Sequence, residues 1–307
     1  MVLAVSARQT AVKKAVIPAA GLGTRILPAT KAVPKELLAV VDRPMIQWIV
    51  EEASAAGIDE VVIVTSRDKT ALRDHFAPAP ALEEALAAKG KDDLLRAVQA
   101  PQELARVTFV EQEEPLGLGH AVWCARDAVG DEPFAVMLPD ELFGGPVLLD
   151  ALIAAHGEFD ASVIAVMEMP SEEIGNYGVV DPEPVPGAGG SPDERDDLVR
   201  MKDFIEKPSP DEAPSNLGSI GRYVLTPEVF SELGRTKPGA GGEIQLTDAI
   251  AAVARSGAGY AHIHRGPRHD AGRPLGYLKA LVALGTQHPE LGEEFKRFLT
   301  EFAGAKA

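Results

Sequence analysis

The sequence has little with which to cross-link itself, stack rings or present a broad basic face. Cys124 is its only cysteine, which excludes an intrachain disulfide and makes a reducing, cytoplasmic setting the expectation. Neither H-E-x-x-H nor C-x-x-C spacing occurs, so a zinc site is not encoded. Aromatic residues make up only 5% of the chain, and the core must rest on Ala, Val, Leu and Ile. Lys and Arg number 30 against 46 Asp and Glu, a net charge of −16. That balance argues against nucleic-acid or membrane-surface binding, both of which need a basic face. It leaves room for a phosphate-bearing ligand, because salt screens distant charges within roughly 8 Å and a few cations in a cleft act locally. No window approaches the roughly 18 consecutive apolar residues of a spanning helix. Residues 1–12 lack the apolar core and cleavage site of a signal peptide.

What is present is an apolar fraction of 46% in 307 residues, enough for one large α/β domain or two modest ones. Short β-branched runs alternate with helix-period stretches. Ala15–Ile17, Val61–Val64, Val107–Val110, Phe134–Leu138 and Ser162–Val166 read as strands. Met45–Ala56, Ala81–Val98, Leu118–Val129 and Val147–His156 between them read as helices. This order predicts a Rossmann-like, mainly parallel sheet with helices on both faces. After Met169 the pattern shortens, with strands expected at Tyr177–Asp181, Val199–Ile205, Ser219–Leu225 and Tyr260–His264. Asp181–Asp197, rich in Pro, Gly and acidic residues, reads as a surface loop. Helices return at Leu246–Ala254, Leu275–Leu284 and Leu291–Phe302, the last a packing or oligomerisation element.

The most informative segment runs from Lys14 to Lys35. A buried strand passes straight into Ala19-Ala20-Gly21-Leu22-Gly23-Thr24-Arg25, followed by Lys31 and Pro34-Lys35-Glu36. Glycine backbone can approach a ligand closely, and successive N–H groups can cradle an anion. Arg25 adds a fork of donors and Lys35 a compact charge, both suited to phosphate oxygens. A dinucleotide loop would need a third glycine where Ile26 stands, and no Walker A loop occurs. Further along, Gln112 ends a strand with Gly117 five residues on, and an amide can donate and accept at once. Asp140 and Glu141 end another strand, where ligands of open α/β sheets gather. Asp270, Glu206, Lys207 and Gly178 stand near further strand ends. Taken singly, each of these also fits an ordinary cap, turn or strand-end residue. His120 reads as structural or substrate-adjacent, and Cys124 and Trp48 as core.

Together these segments resemble the sugar nucleotidylyltransferase family, and their fuller wording resembles its bacterial uridylyltransferase branch. The likeness continues through Gly117-Leu118-Gly119-His120-Ala121, Leu138-Pro139-Asp140, Ile205-Glu206-Lys207-Pro208, Gly221-Arg222-Tyr223 and Gly242–Ile250 to Arg268-His269-Asp270. It implies the nucleotide-diphospho-sugar transferase fold over residues 13–307 as one domain, behind a tail at 1–12. The nucleotide part would be about 13–140, the sugar part about 141–275, and the closing helices about 275–304. It implies UTP and glucose 1-phosphate as substrates, Mg²⁺ as the metal and assembly as a homodimer or homotetramer. By the same resemblance Arg25, Lys35 and Lys207 are catalytic. Ala20, Gly21, Gly23, Thr24, Glu36, Gln112 and Gly117 bind the nucleotide; Gly178, Glu206 and Lys207 bind the sugar phosphate; Asp140 and Asp270 hold the metal. Two positions depart from the family pattern: relatives commonly have Asp at Glu141 and Asn at Arg273. Glu141 is expected to act on the metal through water. The nearest rivals are a thymidylyltransferase and a non-catalytic paralogue that binds sugar nucleotide. The second would be marked by loss of Arg25, Lys35, Asp140, Lys207 or Asp270, and all five are present. The helical stretch from Ala81 to Ala100 favours the uridylyltransferase over the first.

Overall fold

The first strand, β1 (Lys14–Pro18), turns Ala15 and Ile17 to one face and Val16 to the other, and all three are fully buried. An unbroken apolar run of this kind belongs in a sheet covered on both sides. The computed structural model, which describes residues 12–185, 196–239 and 242–304, has that arrangement. A small pairing of β2 (Ala39–Val40) with β3 (Arg43–Pro44) leads into helix α1 (Met45–Ala55) and strand β4 (Glu60–Thr65). Helices α2 (Thr70–His75), α3 (Pro80–Ala88) and α4 (Asp92–Glu103) precede β5 (Arg106–Glu111). Then come α5 (Leu118–Cys124), α6 (Arg126–Val129), β6 (Phe134–Met137), β7 (Glu141–Leu142), α7 (Val147–Phe159) and β8 (Ser162–Glu168). The second half holds β9 (Gly178–Pro184), β10 (Leu198–Glu206), β11 (Leu217–Leu225), α8 (Glu228–Leu233) and α9 (Leu246–Arg255). It closes with β12 (Gly259–Ile263), β13 (His269–Asp270), α10 (Pro274–Gly285) and α11 (Gly292–Gly304).

Nine strands form one sheet in the order β5-β4-β1-β6-β11-β8-β12-β10-β9. β10 and β11 run against the other seven, so the sheet is mixed but mainly parallel, as the alternation of elements predicts. Its far edge bends round until β9 also pairs with β11 through Gly218 and Val179. The parallel strands deliver their carboxyl ends to one edge, and Ala19, Ser66, Gln112 and Leu138 leave the sheet there. Two apolar layers cover the faces: α1, α7 and α10 pack on one, and α5, α8 and α9 on the other. Among the described residues no helix is long and apolar enough to cross a membrane.

Departures from the sequence reading have local causes. The helix expected over 81–98 is two helices, because Gly90 takes a φ of 62° between them and a left-handed residue ends an α-helix. The helix expected over 118–129 tightens at Ala125, whose N–H bonds to the Val122 carbonyl three residues back, and resumes as α6. Asp181 to Pro184, expected as loop, is strand because it pairs with β10. Residues 186–195 of that expected loop, and 1–11 of the expected tail, lie outside the described residues. Trp48 is only half-buried, donating to the Val40 carbonyl beneath the Arg43 guanidinium; Cys124 is half-buried too.

The least expected feature of the interior is Arg222, which has no exposed surface. Gly221, at φ 75° beside a register shift in β11, turns the strand so that Arg222 points inward. Its Nε and one terminal nitrogen donate to the two oxygens of Glu52 on α1, both at 2.8 Å. The terminal nitrogens also donate to the carbonyls of Leu138, Gly221 and Glu141 at 3.1, 3.1 and 2.7 Å. All five N–H groups are therefore used, the condition under which a buried guanidinium is tolerated. Removing Glu52 alone leaves a buried unpaired charge. Glu52→Gln is therefore expected to lower unfolding free energy in urea by about 3–5 kcal/mol. The double change to Met at Glu52 and Arg222 should recover only part of that, because three carbonyls lose their donor.

Candidate functional site

β1 ends in Pro18, and the Ala19 N–H reaches across to the Val64 carbonyl at 2.7 Å, pinning the loop where it leaves the sheet. Gly23, at φ 65°, then starts a single 3₁₀ turn over Thr24–Ile26 that buries Ile26 and leaves Thr24 and Arg25 exposed. Thr30 Oγ1 donates to the Gly23 carbonyl at 2.8 Å. A side chain at Gly23 would press on Lys35 and Thr30, whereas Gly21 has open space around it and Ala20 lies beside it, nearly buried. Beneath the loop sits Lys69, which the sequence gives no reason to single out. Its ammonium donates to the carbonyls of Ala19 and Gly21 and to Glu36 Oε2, at 2.6, 2.7 and 2.9 Å. With the loop carbonyls drawn down to Lys69, the loop's outer side is left to its N–H groups. Glu36 is fully buried, and its carboxyl is pushed up by that burial, against the pull of Lys69. Its Oε1 has no partner among the described residues.

Lys35 and Asp140 meet at 2.6 Å. Burial acts to lower the Lys35 ammonium, but the Asp140 charge and hydrogen bond outweigh it and hold the ammonium above its ordinary value. Burial likewise acts to raise Asp140, and Lys35 overrides it, holding the carboxyl below the usual range. The Arg25 charge bears on both groups. Asp270 arrives from the other half of the chain: β13 pairs with β7, aligning Asp270 with Glu141, and the Ala271 N–H bonds to the Asp140 carbonyl at 2.8 Å. Both carboxylates crowd the backbone of Gly272, where an added Cβ would lie 2.7 Å from Asp140 Oδ2 and 3.1 Å from Asp270 Oδ1. Two anionic oxygens thus converge on one small space, which suits a hard divalent cation completed by water and phosphate oxygens. Among the described residues no cluster of three metal-ligating side chains occurs.

Glu141 lines the same cavity as Asp140 and Asp270. Both its oxygens accept from Arg268, at 2.8 and 2.6 Å. With both oxygens so engaged, the expected role of Glu141 through water stands as a proposal, and Arg268 is the partner that would compete with it. Burial pushes the Glu141 carboxyl up to about 7, with Arg268 restraining the rise. Arg268 also lies over the Tyr177 ring and donates to its hydroxyl at 3.3 Å. Arg273, where relatives commonly carry Asn, reaches Asn176 at 3.3 Å.

Asp140, Glu141, Arg268, Asp270 and Arg273 border a cavity of about 280 Å³ that also touches Arg25, Gly178, Glu206 and Lys207. Gly178 is required by packing, since a Cβ there would fall 2.8 Å from the Phe204 ring. Glu206 accepts from Thr247 Oγ1 at 2.6 Å and pairs with the Lys207 ammonium at 2.9 Å. Lys207 has a φ of 45°, a conformation that costs a non-glycine residue on the order of 1–3 kcal/mol and gathers at functional sites. Its N–H is fixed to the Tyr177 carbonyl at 3.0 Å. Ser219, Tyr223, Gln245 and Thr247 complete the wall. Tyr223, Gln245 and Thr247 lie in motifs of the family likeness, but their place in this wall does not show in the sequence, because they come from segments far apart in the chain.

At the other end of the loop, a cavity of about 450 Å³ opens between Ser66-Arg67-Asp68 and Glu111-Gln112-Glu113. Gln112 extends β5, its N–H on the Thr65 carbonyl at 2.9 Å, and its side chain is nearly buried. Gly117, at φ 102°, is also set by packing, because a Cβ would lie 2.8 Å from Glu243 Cβ and 2.9 Å from the Ile244 carbonyl. The Gly119 N–H donates to that carbonyl and the Ile244 N–H to Leu116. Two motifs more than a hundred residues apart are thereby locked together. Among the expected residues, the structure gathers Arg25, Lys35, Asp140, Asp270, Gly178, Glu206 and Lys207 at one place, and sets Ala20, Gly21 and Gln112 along the same edge.

The Glu141–Arg268 pair gives a pH-dependent signature. A carboxyl held above its unfolded-state value binds its extra proton on folding, so stability falls as pH rises between the two values. Arg268→Met removes the restraint and widens that interval. Relative to the parent, the variant should lose about 1 kcal/mol more stability at about pH 8 than at about pH 6, read by urea unfolding at each pH.

Comparison with known proteins agrees with this geometry. The sequence profile described as nucleotidyl transferase matches residues 14–287. A UTP–glucose-1-phosphate uridylyltransferase of Bacillus subtilis is 45% identical over 289 residues, covering 94% of this chain and 96% of that protein. One of Staphylococcus haemolyticus is 45% identical over 291 residues, covering 94% and 98%. Among solved structures, a UDP-glucose pyrophosphorylase from Acinetobacter baumannii superposes with a TM-score of 0.84 at 41% identity, over 95% of this chain and 99% of that one. A UTP-bound UGPase of the same organism gives 0.84, also at 41% identity, over 94% and 99%. With the profile covering most of its length and relatives this similar end to end, the chain belongs to the nucleotidyl transferase family.

Proposed function

We propose that the chain transfers a uridylyl group from UTP to glucose 1-phosphate, giving UDP-glucose and pyrophosphate. The observation that carries this reading is the convergence of Arg25, Asp140 and Asp270 with Glu206 and Lys207 around one cavity, with Lys35 paired to Asp140 at its edge. The relatives named for this reaction, and a solved UGPase with UTP bound, support the choice of substrates. A phosphate monoester has its second pKa near 6, so the attacking oxygen is already anionic and needs no general base. The bond from that oxygen to the α-phosphorus forms as the bond to the bridging oxygen of pyrophosphate breaks. Two anions must be brought into line against their repulsion, and charge at the α-phosphorus must be neutralised.

In this reading the loop N–H groups from Gly21 to Thr24 hold the triphosphate, with Arg25 and Lys35 set against its oxygens. Lys207 holds the phosphate of the sugar, whose hydroxyls meet Glu206 and the open backbone of Gly178. Gln112, with Ala20 and Gly117 beside it, receives the base. Asp140 and Asp270 would hold Mg²⁺, which supplies charge to the phosphate oxygens when bound. Lys35 neutralises Asp140 in the free protein, so its ammonium stands ready beside the phosphates. Residues 13–140 and 141–275 work as nucleotide and sugar parts of one domain, closed by helices over 275–304. The protein is proposed to act in the cytoplasm as a homodimer or homotetramer. The exposed Leu275, Leu278, Val282, Phe298 and Phe302 of α10 and α11 support such assembly.

Incubation with Mg²⁺, each nucleoside triphosphate and a panel of sugar 1-phosphates should release pyrophosphate fastest with UTP and glucose 1-phosphate. Silence with that pair, with release from another, overturns the reading. Lys35→Met or Arg25→Met should lower kcat by about 10²–10³-fold with the melting profile retained. Asp270→Asn should raise the Mg²⁺ concentration for half-maximal rate, while an unchanged metal titration would remove Asp270 from the metal site.

A further inference from the structure

The amide of Gln112 is held by two groups that only accept. Its Nε2 lies 3.2 Å from the Gly117 carbonyl oxygen and 3.0 Å from His120 Nδ1. A carbonyl cannot donate, so the atom facing Gly117 must be the amide nitrogen. With that nitrogen offering only N–H, Nδ1 must accept, which places the imidazole proton on Nε2. Nε2 in turn lies 3.8 Å from Cys124 Sγ, a weak acceptor. Both N–H groups of the amide are thus consumed within the protein. The carbonyl oxygen, Oε1, is what the side chain has left for a ligand.

We propose that His120, together with the Gly117 carbonyl, makes Gln112 a one-sided reader that accepts from an imide N–H and cannot donate. This rests on the reading that Gln112 meets the base. Uracil presents N3–H between two carbonyls and satisfies such an acceptor. Cytosine presents a bare N3, which would face Oε1 lone pair to lone pair. Thymine carries the same imide, so Gln112 does not separate uracil from thymine, and that choice falls to contacts around C5. His120 is a positioning residue: it acts through Gln112. Replacing it with a side chain that cannot accept frees one N–H of the amide to meet a bare ring nitrogen. The result is relaxed discrimination, with no change in the groups around the α-phosphorus.

The test compares the parent with His120→Ala and His120→Asn, since the Asn oxygen can stand near the place of Nδ1. The expected result for His120→Ala is a fall of about tenfold in the UTP-to-CTP ratio of kcat/KM. It should arise through KM with kcat for UTP little changed, and His120→Asn should restore most of the ratio. A purely structural role would lower thermal stability and leave the ratio intact. Equilibrium binding of UTP and CTP to the Mg²⁺-supplemented protein reads the same preference without turnover. If no pyrophosphate is released from UTP, the proposed function fails while this inference is still decided by binding. Parent protein that binds CTP as tightly as UTP, or His120→Ala that keeps the parent preference, would overturn it.

Discussion

Five N–H groups on one buried guanidinium hold the centre of this molecule together. Arg222 ties β11 to α1 through Glu52, and the three carbonyls it binds belong to the turn that follows β6 and to its own strand. That turn carries Asp140 to Lys35 and Glu141 to Arg268. An apolar side chain in the place of Arg222 could fill the volume but could not donate to Leu138 and Glu141. The orientation of Asp140 is therefore set from below by a polar group in an otherwise apolar layer, and the strand pairing of β7 with β13 brings Asp270 to the same spot.

A second anchor of the same kind supports the glycine loop. Lys69 spends all three of its N–H groups on two loop carbonyls and Glu36. Both anchors are cations, buried or nearly so, that use every N–H they have, which fixes the geometry of the groups they bind. Between them the loop and the Asp140 turn approach each other as preformed surfaces, with Lys35 and Asp140 neutralising each other at the seam. The remaining tension is local: Lys207 sits at a positive φ, fixed through Tyr177, and holds its ammonium beside Glu206.

The parts of this arrangement that could be read along the chain are those carried by short-range pattern. The apolar run of β1, the glycines after it, and the spacing of Arg25 and Lys35 mark a strand entering an anion cradle. Asp140, Gln112, Glu206 and Lys207 are legible as strand-end residues, though as a site only through their resemblance to a family. Lys69 carries no such pattern, and Arg268 stands in a motif that says nothing of its partner Glu141, 127 residues away. Arg222 stands in a recognisable motif, yet its burial follows from Glu52, 170 residues distant. Gly117 and Gly178 were expected on ligand grounds, and the contacts that forbid a Cβ at each are with Ile244 and Phe204 of this chain. Glu141 shows the limit most plainly: two adjacent acids look alike in sequence, and only the fold gives one to Lys35 and the other to Arg268.

Lys35, Asp140 and Asp270 are proposed to form a preset seam whose charges are redistributed when a nucleoside triphosphate and a divalent cation arrive. The most direct measurement is a crystal structure of the protein with UTP and Mg²⁺. One ion should be held by both Asp140 and Asp270, with the Lys35 ammonium moved from Asp140 to a phosphate oxygen and the Leu138–Glu141 turn unmoved on Arg222. An ion bound away from both carboxylates, with Lys35 still on Asp140, would contradict it.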